Sequence, residues 1–235
     1  MAYVAPALRK DGRHVVLKAG FIEDESRHEG DALEFWNGSG AVQRLDGDPD
    51  SGALLLERIY PGAALEDFAD REAAIGIACR LLRRLWKPIG PDHPFDLVAD
   101  LATEWSKYLP GEAAELCREL AASQEDATVV NRDFHLGNIL ASDREPWLVI
   151  DPKPLVGEPA FDTGHLLRSL LTRDFTPHEI ESLLQRLSSG LDLPPRRIAA
   201  WSFVRSVENE IWASETSLED PNRDRRCAEI LSTWL

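Results

Sequence analysis

The chain is poor in lysine and arginine relative to its acids. Against 41 acidic residues stand 26 basic ones, a formal charge of -15, and the isoelectric point is near 4.8. A binder of the nucleic-acid backbone needs concentrated positive charge, so that class is excluded. Surplus acid instead draws cations, either metal ions or polyamine-like ligands, and equally serves solubility. Cysteine is scarce: Cys79, Cys117 and Cys227 are odd in number, widely spaced and set in helical stretches, with no CxxC. Neither a disulfide framework nor a zinc knuckle is indicated, and a reducing cytoplasm is the expected location. No apolar run approaches the roughly 18 residues of a membrane helix. The start, "MAYVAPALRKDGRH", lacks the apolar core of a signal peptide. No internal repeat, low-complexity tract or Walker-type G-x-x-x-x-G-K occurs.

What is present is a globular composition. At 235 residues and 43% hydrophobic, the chain can form one large domain or two unequal lobes around a cleft. The first sixty residues read as strands broken by one helix. "YVAPAL" and "RHVVLK" flank Lys10-Asp11-Gly12, a hairpin signal. "SRHEGDALEFW" is helical, with Gly38 as its stop. "AVQRLD" and "GALLLE" are two further strands joined by the turn Gly47-Asp48-Pro49-Asp50. After a Pro61-Gly62 joint the pattern becomes helical, with Phe68, Ala74, Ile77, Leu81 and Leu85 in a 3.6-residue rhythm over 66–86. "KPIGPDHP" is a loop, and helices follow near 96–108 and 112–122. "NILA" and "WLVID" form a small hairpin around Ser142–Pro146. Thr176-Pro177-His178-Glu179 reads as a capping box with Pro at the first helical position.

One stretch breaks this pattern. In "VVNRDFHLGNIL", residues 129–140, a β-branched strand runs into an acid-bearing loop, and Asn138 returns five positions after Asp133. Asp151 closes the next hairpin strand in "VID". A hairpin holds such oxygen-bearing side chains rigidly at a cleft mouth, and oxygen ligands in this number suit Mg²⁺, which takes one or two carboxylates plus substrate phosphates.

"NRDFHLGN" resembles the kinase catalytic loop H-R-D-L-x-x-x-N, and "VIDPKP" stands where kinases carry D-F-G. Together with "HVVLK", "HEGDALEFW", "GAVQRLD", "GALLLER", "WLVIDPKPLVGEPAFD" and "LPPRRIAAW", these motifs resemble the aminoglycoside and hydroxyurea phosphotransferase family, which includes streptomycin phosphotransferases. The likeness spans nearly the whole chain. It implies an α+β, two-lobed protein-kinase-like fold, with a small β-rich nucleotide lobe over 1–60 and a larger helical lobe over 61–235. It further implies that Asp133 accepts the proton of, or orients, the substrate hydroxyl. Asn138 and Asp151 would hold Mg²⁺. Lys18 would contact the α- and β-phosphates with Glu29 fixing it, and Glu57 and Ile59 would offer backbone groups to the adenine edge. Asn131, Arg132 and His135 would support the loop.

Several positions keep a second reading. Glu29 lies three residues after Ser26 and equally suits a capping box. Lys18 also reads as a solvated strand end. His135 either contacts the site or bonds within its own loop. Asp162 precedes the "TGHLLRSLL" helix and reads as an N-cap as well as a substrate contact. The chain also departs from the family pattern twice. Asn131 stands where the family usually has His, and an amide both donates and accepts. The chain is expected to begin at about the family's second strand, with no G-x-G-x-x-G upstream of Lys18 to cover the phosphates.

The expected activity is ATP- and Mg²⁺-dependent transfer of the γ-phosphate to a hydroxyl of a small molecule, in line and without a covalent intermediate. The expected substrate is a cationic aminoglycoside such as streptomycin, met by carboxylates from Asp162, Glu208 and Glu210, although "SVENEIW" also reads as a solvated helix face. The rival readings are an impaired kinase-like binding protein and a kinase for another hydroxylated metabolite such as hydroxyurea. A kinase acting on proteins is disfavoured, because no long activation segment separates Asp151 from the next helix. No membrane association is expected, and oligomeric state leaves no signal.

Overall fold

The computed structural model describes residues 2–20, 25–48, 51–125, 127–218 and 220–235. Strands β1 (Tyr3–Leu8) and β2 (His14–Ala19) form the expected antiparallel hairpin, in register from Tyr3 opposite Ala19 to Leu8 opposite His14. Its turn needs a left-handed residue, which Gly12 supplies at φ +84. Strands β3 (Arg44–Asp48) and β4 (Ala53–Glu57) complete a four-stranded sheet of order β1-β2-β4-β3, with β1 at its edge. Pro49 and Asp50, at the tip of the expected turn, lie outside the described residues.

Helix α1 (Glu29–Trp36) packs Ala32, Leu33 and Trp36 inward and stops where Asn37 and Gly38 take positive φ. Its N-cap is His28, which makes no side-chain capping bond, so the capping-box reading around Ser26 and Glu29 does not describe this helix start. The indole Nε1 of buried Trp36 donates to Leu85 O at 3.0 Å and ties this region to the helical part.

The Pro61-Gly62 joint begins a strand. β5 (Pro61–Ala64) pairs with β7 (Ile139–Ser142), which pairs with β8 (Trp147–Val149). The helix expected from residue 66 starts later, because Leu65–Asp67 is a 3-10 turn. Helix α2 (Arg71–Leu85) begins at Asp70, whose carboxylate accepts from Ala73 N at 3.0 Å. Helices α3 (Val98–Trp105) and α4 (Gly111–Ala122) follow as expected. Strand β6 (Thr128–Asn131) pairs antiparallel with β9 (Pro154–Gly157), and both are buried.

The remainder is helical: α5 (Thr163–Leu170), α6 (Pro177–Leu191), α7 (Pro195–Thr216) and α8 (Pro221–Ser232). Helix α7 packs against α4, α5, α6 and α8 and buries apolar residues on several sides, as a central helix must. Thr176 caps α6 by accepting from Glu179 N, but the capping box is only half formed. The Glu179 carboxylate turns instead to Thr172 N, Thr172 Oγ1 and Arg71. All three cysteines are free and buried.

Asp162, at the start of α5, is 2% exposed. It makes no side-chain cap to the helix. Its carboxylate accepts from Trp86 Nε1 at 2.8 Å and Asn131 N at 2.6 Å, joining the end of α2 to the end of β6. Both readings of Asp162, helix cap and substrate contact, are therefore corrected: it is an internal strut. Burial raises its pKa from 3.8 to about 8, the two N–H donors only partly opposing. Between those values the folded chain holds a proton that the unfolded chain has released, so stability falls as pH rises through the window. Asp162→Asn removes the titration. Urea unfolding of both proteins between pH 5 and 8 should show the wild type losing stability relative to the variant, by up to about 1.4 kcal/mol per pH unit. Parallel pH curves would exclude a neutral Asp162.

Candidate active site

The loop after β6 is built on alternate anchoring. Phe134 is fully buried, while the side chain of its neighbour Asp133 keeps 19% of its surface at a cavity. Asn131 is 1% exposed. Its Oδ1 accepts from Asp133 N at 3.0 Å and from Lys153 N at 2.9 Å, and Arg132 N donates to Lys153 O. One amide oxygen thus clamps this loop to the segment that follows Asp151. His135 accepts from Gly137 N through Nδ1 and caps the 3-10 turn Leu136–Asn138, so it bonds within its own loop while still lining the cavity. The Asn138 amide nitrogen donates to Asp133 O at 3.2 Å, and Asn138 O accepts from Ile150 N at 2.9 Å. That bond sets Asn138 beside the backbone of Asp151.

Asp151 has φ +49, a conformation non-glycine residues rarely hold. Its Oδ1 lies 2.5 Å from Lys18 Nζ, and Glu29 Oε2 lies 2.5 Å from the same nitrogen. Glu29 therefore serves the lysine. Burial alone would lower the Lys18 pKa, but Glu29 and Asp151 outweigh it and hold the ammonium above its ordinary value. Burial raises Glu29, with Lys18 opposing, and Glu29 Oε1 is buried without a hydrogen-bond partner.

These three groups close the polar end of a cavity of about 350 Å³ with apolar walls from Val16, Val42, Leu56, Leu140 and Ile150. Glu57 and Ile59 line it, though not equally. Glu57 N is already donated to Gln43 O, and the Glu57 carboxylate accepts from Gln43 N and Arg144. Among the described residues Ile59 N has no backbone partner.

A second cavity, of about 510 Å³, has Asp133 in its lining. His165 Nδ1 sits 3.3 Å from Asp133 Oδ1, and Lys153 Nζ is 3.6 Å from Asp133 Oδ2. Burial, with Arg205, His135 and Arg168 nearby, holds the His165 pKa well below the usual histidine value, so its ring is neutral at pH 7. Arg132 pairs with Glu25 at 2.7 Å and lies over the Trp105 ring. Glu25 also pairs with Lys153 at 2.9 Å.

The carboxylates expected to meet a cationic substrate are not available here. Glu208 lines this cavity but faces Arg205 at 3.3 Å, and Glu210 pairs with Arg225 and is not among the lining residues. Lys153, His165, Glu25 and Arg205 were not singled out in the sequence. Lys153, two residues after Asp151, carried the only local signal. A larger groove of about 590 Å³ between α4 and α7 holds Glu112, Glu115, Glu119, Arg196 and Arg197 but none of the groups around Asp133 or Lys18.

The chain is similar to known proteins in sequence and in fold. The family model for aminoglycoside/hydroxyurea antibiotic resistance kinases matches residues 2–217. A streptomycin 6-kinase from Streptomyces glaucescens is 34% identical, over 90% of this chain and 75% of the relative. A hydroxyurea phosphotransferase from Kitasatospora aureofaciens is 34% identical, over 98% of this chain and 71% of the relative. Among solved structures, choline kinase LicA from Streptococcus pneumoniae superposes with a TM-score of 0.66 at 15% identity, over 99% of this chain and 89% of that one. The same kinase is known in complex with AMP. The structural likeness shows the two-lobed kinase-like fold. With the family match across most of its length, the chain belongs to the aminoglycoside/hydroxyurea antibiotic resistance kinases.

Proposed function

We propose that this chain transfers the γ-phosphate of ATP to a hydroxyl group of a small molecule. The observation that carries this is Lys18, held by Glu29 and Asp151 at the polar end of an apolar slot, while Asp133 opens on a separate cavity beside it. Residues 1–60 act as the nucleotide lobe and residues 61–235 as the lobe that carries the catalytic loop. The adenine ring lies between the apolar walls, its edge meeting Ile59 N–H. Glu57 has only its carbonyl to offer, since its N–H is spent. Lys18 contacts the α- and β-phosphates. ATP as donor places the reaction in the cytoplasm.

The donor set suits a hard cation. The nitrogen end of the Asn138 amide is engaged by Asp133 O, which leaves its oxygen as the ligating end, and half-exposed Asp151 supplies a carboxylate. Asn138 and Asp151 would hold Mg²⁺, which when bound offsets charge on the phosphates. Asp133 orients the acceptor hydroxyl and takes its proton. The His165 ring, 3.3 Å from Asp133 Oδ1, borders that carboxylate and limits how it can turn. Lys153 adds a positive charge on the acceptor side of the same group. Positioning and charge, rather than a covalent intermediate, supply the rate. Streptomycin and hydroxyurea, named for the relatives, are the first acceptors to assay.

Asp133→Ala should lower phosphate transfer by about 10²-fold or more, the usual scale for losing a general base, while ATP still binds. Equal turnover in the variant would remove Asp133 from the chemistry. Calorimetric titration of Asp151→Ala with ATP should show nucleotide affinity that no longer responds to Mg²⁺, and a response of wild-type size would move the metal site elsewhere.

A further inference from the structure

The second cavity contradicts the overall charge of the protein. Its lining carries five cationic side chains, Arg132, Lys153, Arg168, Arg205 and Arg223, against the acids Glu25, Glu66, Asp133 and Glu208. Most of that acid is engaged. Glu25 sits between Arg132 and Lys153, Glu208 sits between Arg205 and Arg132, and Asp133 faces Lys153 and His165. Of these four acids, exposed Glu66 is the one without an ion pair among the described residues. The cations are engaged in turn, Arg168 with Asp224, Arg223 with the carbonyls of Arg168 and Leu171, and the rest with the acids just named, so an ammonium-rich acceptor would find no open carboxylate here but Glu66.

Unspent donors point to the opposite chemistry. Arg205 Nε and Nη1 and Asn209 Nδ2 are buried without a hydrogen-bond acceptor. Arg205 Nη1 approaches Glu208 Oε2 at 3.3 Å as an ion pair but is not aligned as a hydrogen bond. Buried N–H groups without acceptors are costly, so a ligand that brings acceptors is favoured. The two residues lie one turn apart on α7 and present their donors on one face. Arg205 is also held over the Trp105 ring, its guanidinium carbon 5.5 Å from the centroid. A guanidinium with unspent N–H groups beside an amide with another suits a ligand rich in acceptors, and its positive charge favours a carboxylate. The distance to the chemistry is short: Arg205 Nη2 lies 3.5 Å from His165 Nδ1, which lies 3.3 Å from Asp133 Oδ1.

We propose that the acceptor is a hydroxy acid, its carboxylate held by Arg205 and Asn209 while its hydroxyl faces Asp133. This inference rests on the phosphotransfer activity proposed above and names its substrate class. The hydroxyl oxygen attacks the γ-phosphorus of ATP, the bond to the β-phosphate oxygen breaks, ADP leaves, and the hydroxyl proton passes to Asp133. The carboxylate takes no part in bond making.

The test is transfer from Mg²⁺·ATP to a matched set of acceptors: glycerate, malate and glucuronate against glucosamine and glucose. The acids should be phosphorylated with kcat/KM at least about tenfold above glucosamine, the ratio that one charge-assisted contact supplies. Asn209→Ala should raise KM for the acids by about tenfold, with a smaller change in kcat, as expected when ground-state binding is lost. Arg205→Gln should do more. Its thermal unfolding shows whether it folds, and if it does not, Asn209→Ala decides.

If no acceptor is phosphorylated, calorimetric binding of the same acids to the chain loaded with Mg²⁺ and AMP-PNP decides. Binding weakened by Asn209→Ala supports the proposal, and no binding overturns it. Glucosamine or glucose used as well as the acids, or acid KM values unmoved in Asn209→Ala, also overturns it. If that transfer is lost in Asp133→Ala, phosphotransfer stands and only the carboxylate assignment fails. No nucleotide binding, with ATP unspent on every acceptor including streptomycin and hydroxyurea, would instead sink the phosphotransfer activity itself.

Discussion

One buried oxygen organises the site. Oδ1 of Asn131 accepts backbone N–H bonds from two loops at once, from Asp133 on its own side and Lys153 on the other. An acceptor shared this way sets the relative position of both segments without depending on any exposed contact. Beneath it, Asp162 takes the Asn131 N–H and the Trp86 indole, so the clamp is anchored to α2 as well. Asp133, Asn138, Asp151 and Lys153 all hang from this assembly. Asn131 fills this bracing role because its amide oxygen is a fixed acceptor with room for two donors.

Much of this was legible in the sequence, for reasons of locality. Strand alternation and an Asp-Gly turn specify the β1–β2 hairpin through neighbours alone. Asp133, Asn138 and Asp151 are legible because one hairpin carries all three. Lys18 and Glu29 needed the family resemblance, since a strand lysine and a helix-start glutamate each have ordinary local uses. What could not be read was set by distant partners. Asp162 looks like a helix cap from its neighbours, yet its carboxylate is claimed by Trp86 and Asn131, far away in the chain. Glu179 spaces as a capping box, but Arg71 and Thr172 take its carboxylate. Helix α2 starts late because Asp70 offers a cap that the apolar rhythm over 66–86 does not register.

Charge shows the same limit. A net charge of -15 suggested carboxylates waiting for a cation, and that is a statement about the average surface. Locally the helices around Asp133 bring arginines inward, where they neutralise the acids beside them and still retain donors. Composition sets solubility and long-range attraction. The ligand is selected by the few groups that folding leaves unpaired.

Arg144 sits in the turn between β7 and β8, yet it reaches the carboxylate of Glu57 and the carbonyls of Gly38 and Ala41. The β7–β8 hairpin is thereby riveted to the strand that borders the apolar slot. With Val42 and Val149 also bonded across the boundary, the upper sheet and the helical body are coupled as one mechanical unit. Rigid-body rocking of one against the other would break this seam first, so breathing motions that admit a ligand are channelled into side chains and rim loops.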